Sequence, residues 1–175
     1  MHPVTESQIA ALLADAEKSP RRRAHLLLHA GHDDPVQRLL IALWPKTYVR
    51  PHQHSQQWEM LALHRGSADV LAFTPDGTLL GRHRLDPSAP VIQIPVGTWH
   101  AAVALKPGTI VMEIKPGPYR ANEFADWAPE ENAPAAAEFV AWLEHAAVGT
   151  RWARGGASHH PTWRPAPGSG QGQPP

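Results

Sequence analysis

His52-Gln53-His54-Ser55-Gln56-Gln57-Trp58-Glu59 is the stretch from which the fold is read. Two histidines stand one residue apart, and a carboxylate follows five positions later. In an extended segment from Tyr48 to His54, alternate side chains share a face, so His52 and His54 bring two imidazoles side by side. Ser55 to Gln57 is polar and can turn the chain. Glu59 then opens the apolar run Met60 to Leu63, which reads as the returning strand. Its carboxylate can swing back toward the imidazoles. A strand, a turn and a second strand with ligating side chains at their junction point to an antiparallel sheet that holds a metal ion.

Working outward, Thr47 to Arg50 is β-branched and aromatic, and Pro51 ends or bulges that strand. Downstream, strands are predicted over 59–64, 68–74, 78–85, 91–94, 99–105 and 109–115. Arg65-Gly66, Pro75-Asp76-Gly77, Asp86 to Pro90, Pro95 to Thr98 and Lys106-Pro107-Gly108 separate them. Short strands split by Gly/Pro turns mean a sandwich or barrel of antiparallel sheets. Upstream, the nearly continuous apolar run Val36 to Trp44 reads as one more strand. Thr5-Glu6-Ser7-Gln8 resembles a capping box, and Ile9, Leu12, Leu13 and Ala16 follow at helical spacing, which predicts a helix over 6–17 ended by Pro20.

Past Pro116-Gly117-Pro118 the pattern changes. Residues 122–134 read as a surface loop, with Phe124 and Trp127 pinned onto the barrel. Asn132 is the expected cap of a helix over 135–147 that turns Phe139, Val140, Trp142 and Leu143 inward. From Arg151 the last 25 residues hold five Gly and five Pro, a composition that cannot bury enough apolar surface to order itself. Trp152 and Trp163 are its sticky points, expected to dock on a neighbour. His159-His160 on such a tail is more often nothing than a metal site. The organisation expected is a helical extension over 1–20, a β-barrel over 21–120, a loop and helix over 121–148, and a disordered tail over 149–175.

Composition narrows the function. Lys plus Arg and Asp plus Glu both number 16, so no global charge favours nucleic acid or an anionic membrane, and neither is expected as a partner. The chain has no cysteine, which excludes disulfides, zinc ribbons, iron–sulfur clusters and thiol catalysis. The start MHPVTESQIA has no basic region before an apolar core, and no run approaches the roughly 18 apolar residues of a membrane span. A cytoplasmic protein is expected.

A second segment completes the candidate site. Pro95-Val96-Gly97-Thr98-Trp99-His100 places a histidine after a Pro/Gly turn at the start of a strand. His52, His54, Glu59 and His100 would supply three imidazoles and one carboxylate to one divalent cation, with Fe, Mn, Ni, Co or Zn matching that donor set. An octahedral ion would keep two adjacent positions for water, a chelating substrate or dioxygen. Arg50 shares parity with His52 and His54 and is a candidate partner for a ligand carboxylate or phosphate. Leu61 and Leu63 share parity with Glu59 and would form an apolar wall. Trp99 and Tyr119 are candidates for the mouth. Arg21-Arg22-Arg23 reads either as a solvated turn or as an anion site near the mouth. His64, His83 and His145 read as structural.

The joint pattern carries a resemblance. His52-x-His54-x-x-x-x-Glu59-x-x-x-x-x-x-Gly66 resembles the first cupin motif, and Pro95-x-Gly97-x-x-His100 the second. More closely, the chain resembles the WbuC-type cupin-fold metalloproteins of surface-polysaccharide gene sets. The stretches in question are Pro20 to His25, Asp34 to Leu43, Trp58-Glu59 and Gly117-Pro118-Tyr119. Positions 46, 89 and 104 depart from the motifs: Lys46 and Ala89 stand where a glycine is common, and Ala104 where an asparagine is. The resemblance covers residues 8 to 145. It implies a mainly β, single-domain cupin jelly-roll barrel with a helix at each end, the four residues above as metal ligands, and a homodimer.

The expected function is a metal-binding cupin that binds or acts on a small oxygen-rich ligand: a sugar, a nucleotide sugar, or a hydroxy or keto acid. An isomerase and a metal-dependent dioxygenase are the enzymatic forms. A binding or sensing module without turnover is the alternative. No His/Asp base dyad of the metal-free sugar-epimerase kind is found, and no helix-turn-helix is recognisable.

Overall fold

The computed structural model describes residues 1–153; Trp163 and the His159-His160 pair lie outside them. Helix α1 (Glu6–Lys18) begins at the capping box, with the Gln8 amide donating to the Thr5 hydroxyl and the Thr5 amide donating to the Gln8 side chain. The strands, in chain order, are β1 (Arg23–Leu27), β2 (Val36–Leu43), β3 (His52–Gln53), β4 (Glu59–Arg65), β5 (Ala68–Phe73), β6 (Leu79–Leu85), β7 (Val91–Ile94), β8 (Trp99–Ala104), β9 (Thr109–Pro116) and β10 (Glu123–Phe124). Helix α2 (Ala136–His145) follows.

The strands form two antiparallel five-stranded sheets, in the orders β1-β2-β9-β4-β7 and β10-β3-β8-β5-β6. Only β1–β2 and β5–β6 are hairpins within a sheet; every other connection passes from one sheet to the other. That is the double-sheet jelly roll. The protein is mainly β, as the cupin resemblance implies.

Side-chain alternation sorts residues into layers. Leu43, Leu61, Val70, Leu85 and Val111 fill the space between the sheets. On the outer face of the first sheet, Leu12 and Ala16 of α1 pack on Leu40, Ala42 and Ile110. On the outer face of the second, Phe139, Val140 and Leu143 of α2 pack on Leu71, Phe73 and Val103. Burying each such large apolar side chain stabilises by roughly 1.5–3 kcal/mol. Both helices therefore brace the walls of the barrel and leave its interior to the site.

Several expectations need correcting. Thr47 to Arg50 is not a strand. Its side chains are anchored instead: the Thr47 hydroxyl donates to Arg21 O at 2.8 Å, and the Tyr48 hydroxyl donates to Pro129 O at 2.6 Å. Pro51 has no amide to offer a ladder, so pairing shrinks to His52–Gln53. Asn132 does not cap α2; the N-cap is Ala135, without a side-chain bond. The 122–134 loop contains β10, which pairs with β3. Trp127 is pinned on Phe73 and Phe139 as expected, whereas Phe124 is about half exposed, at 47 %. The tail boundary also moves. The Leu79 amide donates to Thr150 O, Thr78 bridges to Arg151, and Trp152 packs on Phe139 and Trp142 of its own chain. Among the described residues no helix is long and apolar enough to cross a membrane.

Candidate metal centre

His52 and His100 face each other as register partners across β3 and β8 in the second sheet. Glu59 opens β4 in the first sheet, so the cluster bridges the barrel. One potential ligand atom from each of His52, His54, Glu59 and His100 lies within 4.8 Å of all the others, and all four residues are buried. Glu59 Oε2 is 2.7 Å from His54 Nε2 and 3.3 Å from His100 Nε2.

Two imidazoles are held in the same way. His52 Nδ1 donates to Arg50 O at 2.9 Å, and His100 Nδ1 donates to Thr98 O at 2.8 Å. In each case the carbonyl two residues earlier takes the Nδ1 proton, which leaves Nε2 as the lone-pair atom; this is how ligating histidines are commonly oriented. Among the described residues His54 Nδ1 is buried without a hydrogen-bond partner, and His100 Nε2 has only the long 3.3 Å approach of Glu59 Oε2. A buried polar nitrogen is costly to leave poorly paired, so His100 Nε2, facing Glu59 within the quartet, marks a place for a ligand atom. The residues fit a divalent cation with a nitrogen and oxygen shell, and could hold one.

The electrostatics agree. Burial, reinforced by the neighbouring His100, pushes His52 down to about 3, so its imidazole is neutral near pH 7. Burial also opposes the charges on Glu59 and His100, but the contact between them outweighs it: Glu59 is held well below the usual carboxylate range and His100 is raised. The carboxylate is thus anionic and concentrates negative charge at the centre.

The motif glycines have local reasons. Gly66 has φ +84°, and a Cβ there would come within 2.8 Å of the Thr109 backbone. Gly97 has φ +71°, and its amide donates to His54 O at 2.9 Å, which fastens the second motif to the first. Lys46 sits at φ 67°, so the position where the resemblance leads one to expect glycine does adopt the left-handed conformation.

A cavity of about 180 Å³ opens beside the cluster, and His52, Glu59 and His100 line it. Arg50, Leu61, Arg21 and Arg23 line it too; Leu63 and Arg22, expected with them, do not. Arg21 and Arg23 are engaged there with Glu131. Trp99 does not reach it. As the neighbour of His100 on β8 it points to the opposite face and packs in the cluster under α2. Tyr119 is half exposed and packs edge-on against His32, also away from the cavity. His64, His83 and His145 are exposed. A larger recess, about 540 Å³, lies between α2 and the 20–23 segment; it shares Arg21, Arg23 and Glu131 with the smaller cavity but reaches none of the four clustered residues.

Sequence reading passed over Glu113 and Lys115, which line the cavity beside the quartet with Nζ and Oε1 2.6 Å apart. Burial, followed by the Glu59 charge, raises Glu113. His25 lines it as well and is lowered by burial and then by Arg23. The signal was available: two charges spaced by two in the strand Thr109 to Lys115 mark one face of an otherwise apolar run.

Residues 4–85 match a family described as a domain of unknown function, DUF6016. No curated protein matches the chain. Similar solved structures include KdgF from a Halomonas species, at 21 % identity and TM-score 0.47 over 59 % of this chain and 85 % of that one. The DMSP lyase DddQ from Ruegeria pomeroyi matches at 17 % identity and 0.49, covering 62 % and 54 %. A cupin-2 domain protein from Shewanella frigidimarina matches at 20 % identity and 0.41, covering 54 % and 80 %.

Proposed function

We propose that this protein is a metal-dependent cupin that binds a small oxygen-rich ligand beside a divalent cation and acts on it. The observation that supports this most directly is the buried quartet. Three imidazoles and a carboxylate converge, and the rings of His52 and His100 are fixed through Nδ1 by backbone carbonyls, which leaves their Nε2 atoms available to a ligand. His52, His54, Glu59 and His100 would hold the ion, with Fe, Mn, Ni, Co or Zn matching the donors. When bound, such an ion supplies Lewis acidity to a coordinated oxygen and lowers the pKa of a bound water.

The chain's own residues supply the rest. The Glu59 carboxylate balances part of the cation's charge from the opposite sheet. Leu61, Ile41 and Val111 add an apolar patch to a cavity otherwise lined largely by charged and polar side chains. Arg50 presents a guanidinium on the His52 side. The kinship with WbuC-type proteins, and through it a place in surface-polysaccharide synthesis, belongs to this reading and rests on the stretches Pro20 to His25 and Asp34 to Leu43.

The test is a purified protein loaded separately with each metal and assayed for oxygen uptake and for turnover of a panel of sugars, sugar phosphates and hydroxy and keto acids. Metal-dependent turnover of one class is the expected result. Saturable binding with no turnover under any metal would replace the enzyme reading with that of a sensing module.

A further inference from the structure

The cavity beside the quartet is built for charge, and its charges do not cancel. Arg21, Arg23, Arg50 and Lys115 line it against the carboxylates of Glu59, Glu113 and Glu131. Four cations against three carboxylates leave one surplus positive charge before any metal is counted, and a divalent ion raises the surplus to three. Arg21 is mostly exposed and screened by water, but Lys115 is buried beside Ile41, Leu61 and Val111, where a charge is screened less.

Not all four cations are free to serve a ligand. Arg23 is committed to Tyr48 O and Glu131, and Arg21 to Glu131. Lys115 and Arg50 differ. Lys115, its side chain 9 % exposed, is paired with Glu113, which takes one of its three donors. Arg50 donates through Nη2 to Ala125 O at 2.9 Å and lies over the Phe124 ring at 5.5 Å, which fixes the guanidinium. Its Nε is nevertheless buried with no hydrogen-bond partner among the described residues. An oriented guanidinium with an idle buried donor is a place for an anionic oxygen. Lys115 comes from the first sheet and Arg50 from the segment entering the second, so the two reach the cavity from different walls.

Size selects among anions. At about 180 Å³ the cavity falls below the roughly 300 Å³ at which pockets begin to enclose drug-sized molecules. An acid of a few heavy atoms is taken up whole in that space, whereas most of a nucleotide sugar would lie outside it.

We propose that the ligand is a small organic acid, a hydroxy or keto carboxylate, whose carboxylate is held by Lys115 and Arg50 while a neighbouring oxygen faces the quartet. This rests on the metal-dependent reading above and narrows its ligand class. The two fail separately. Full-length protein is loaded with metal, its metal content is read by elemental analysis, and lactate is titrated calorimetrically against lactamide, which keeps the hydroxyl and the shape but lacks the charge. Lactate is expected to bind at least about tenfold more tightly than lactamide, the scale of one charge-assisted hydrogen bond. Arg50→Gln should remove most of that preference with metal content unchanged. The Lys115→Met/Glu113→Gln double variant should do the same, and it avoids stranding a buried carboxylate. Equal binding of the two probes, or binding of neither by metallated protein, overturns the acid site and leaves the metal reading standing. A preference for lactate in protein that holds no metal keeps the acid site and removes the metal reading.

Discussion

Two buried charge clusters, on opposite faces of the second sheet, teach different things. Asp69 lies on the outer face, under the C-terminal end of α2, and is 2 % exposed. Its carboxylate accepts from Arg82 at 2.8 Å and from Arg84, and Arg82 donates onward to Leu143 O and Ala146 O. The carboxylate is saturated and the helix carbonyls are capped, so this cluster is structure. The quartet on the inner face is as deeply buried, but among the described residues it leaves His54 Nδ1 without a partner and His100 Nε2 with only a 3.3 Å approach to Glu59. Burial does not separate a site from a structural tie, and neither does one unpaired donor, since Trp127 Nε1 in the packed cluster under α2 is one. The quartet differs in bringing four converging ligand donors together with their bonding unfinished.

That contrast can be broken by mutation. His52→Ala should reduce metal from stoichiometric to near zero by elemental analysis, while the metal-free protein keeps its far-ultraviolet circular dichroism. Unchanged metal content would remove the quartet as the site. Asp69→Ala should do the reverse: metal content holds, and denaturant unfolding shows a loss of about 2–3 kcal/mol. That is less than a fully buried pair would cost, because Arg84 is half in water and recovers its hydration. An Asp69→Ala protein of native stability would mean the cluster ties nothing together.

Acid should sharpen the contrast. His52 is held at about 3 in the folded chain, below its ordinary 6.5, so between those values the unfolded chain binds a proton that the folded one does not. Stability of the metal-free protein therefore falls as pH drops from about 6.5 toward 3. Glu59, held low, adds to the loss below its ordinary 4.5, whereas His100, raised, changes stability only above its ordinary 6.5, where its contribution is lost as pH rises. Bound metal should leave over the same range, because protonated imidazoles cannot ligate. Thermal midpoints measured against pH should give a shallower slope for His52→Asn; equal slopes would rule out a contribution from His52.

The smallest effect tests a backbone rather than a charge. Lys46→Gly should stabilise by about 0.5–1 kcal/mol, since the left-handed conformation costs a side-chain-bearing residue about 1–2 kcal/mol and glycine's unfolded-state entropy returns part of that. A loss of stability in denaturant unfolding would show that contacts of the Lys46 side chain outweigh its strain.

Much of the molecule was legible in order along the chain. The capping box set the start of α1, Pro75-Asp76-Gly77 set the β5–β6 hairpin, and the histidine and glycine spacings marked the quartet. These features are written within a few residues, where alternation and turn chemistry act. The error over Thr47 to Arg50 came from weighing β-propensity above two side-chain anchors, to Arg21 and Pro129, that lie far off in sequence. The misplacement of Trp99 came from setting aside the rule that made His52 and His54 neighbours: adjacent strand residues face opposite ways.

By itself the sequence determined which residues are fit to ligate a cation and that short strands would carry them, because donor chemistry and strand periodicity are local properties. Only the tertiary structure decided what shares the cavity with them. The Glu113–Lys115 pair, Arg50 with its idle nitrogen, and the Arg23–Glu131 tie across 108 positions were brought there by the pairing of β2, β9 and β4 and by the loop that carries Glu131. Such registers depend on how distant strands pack, and no short stretch of chain records them.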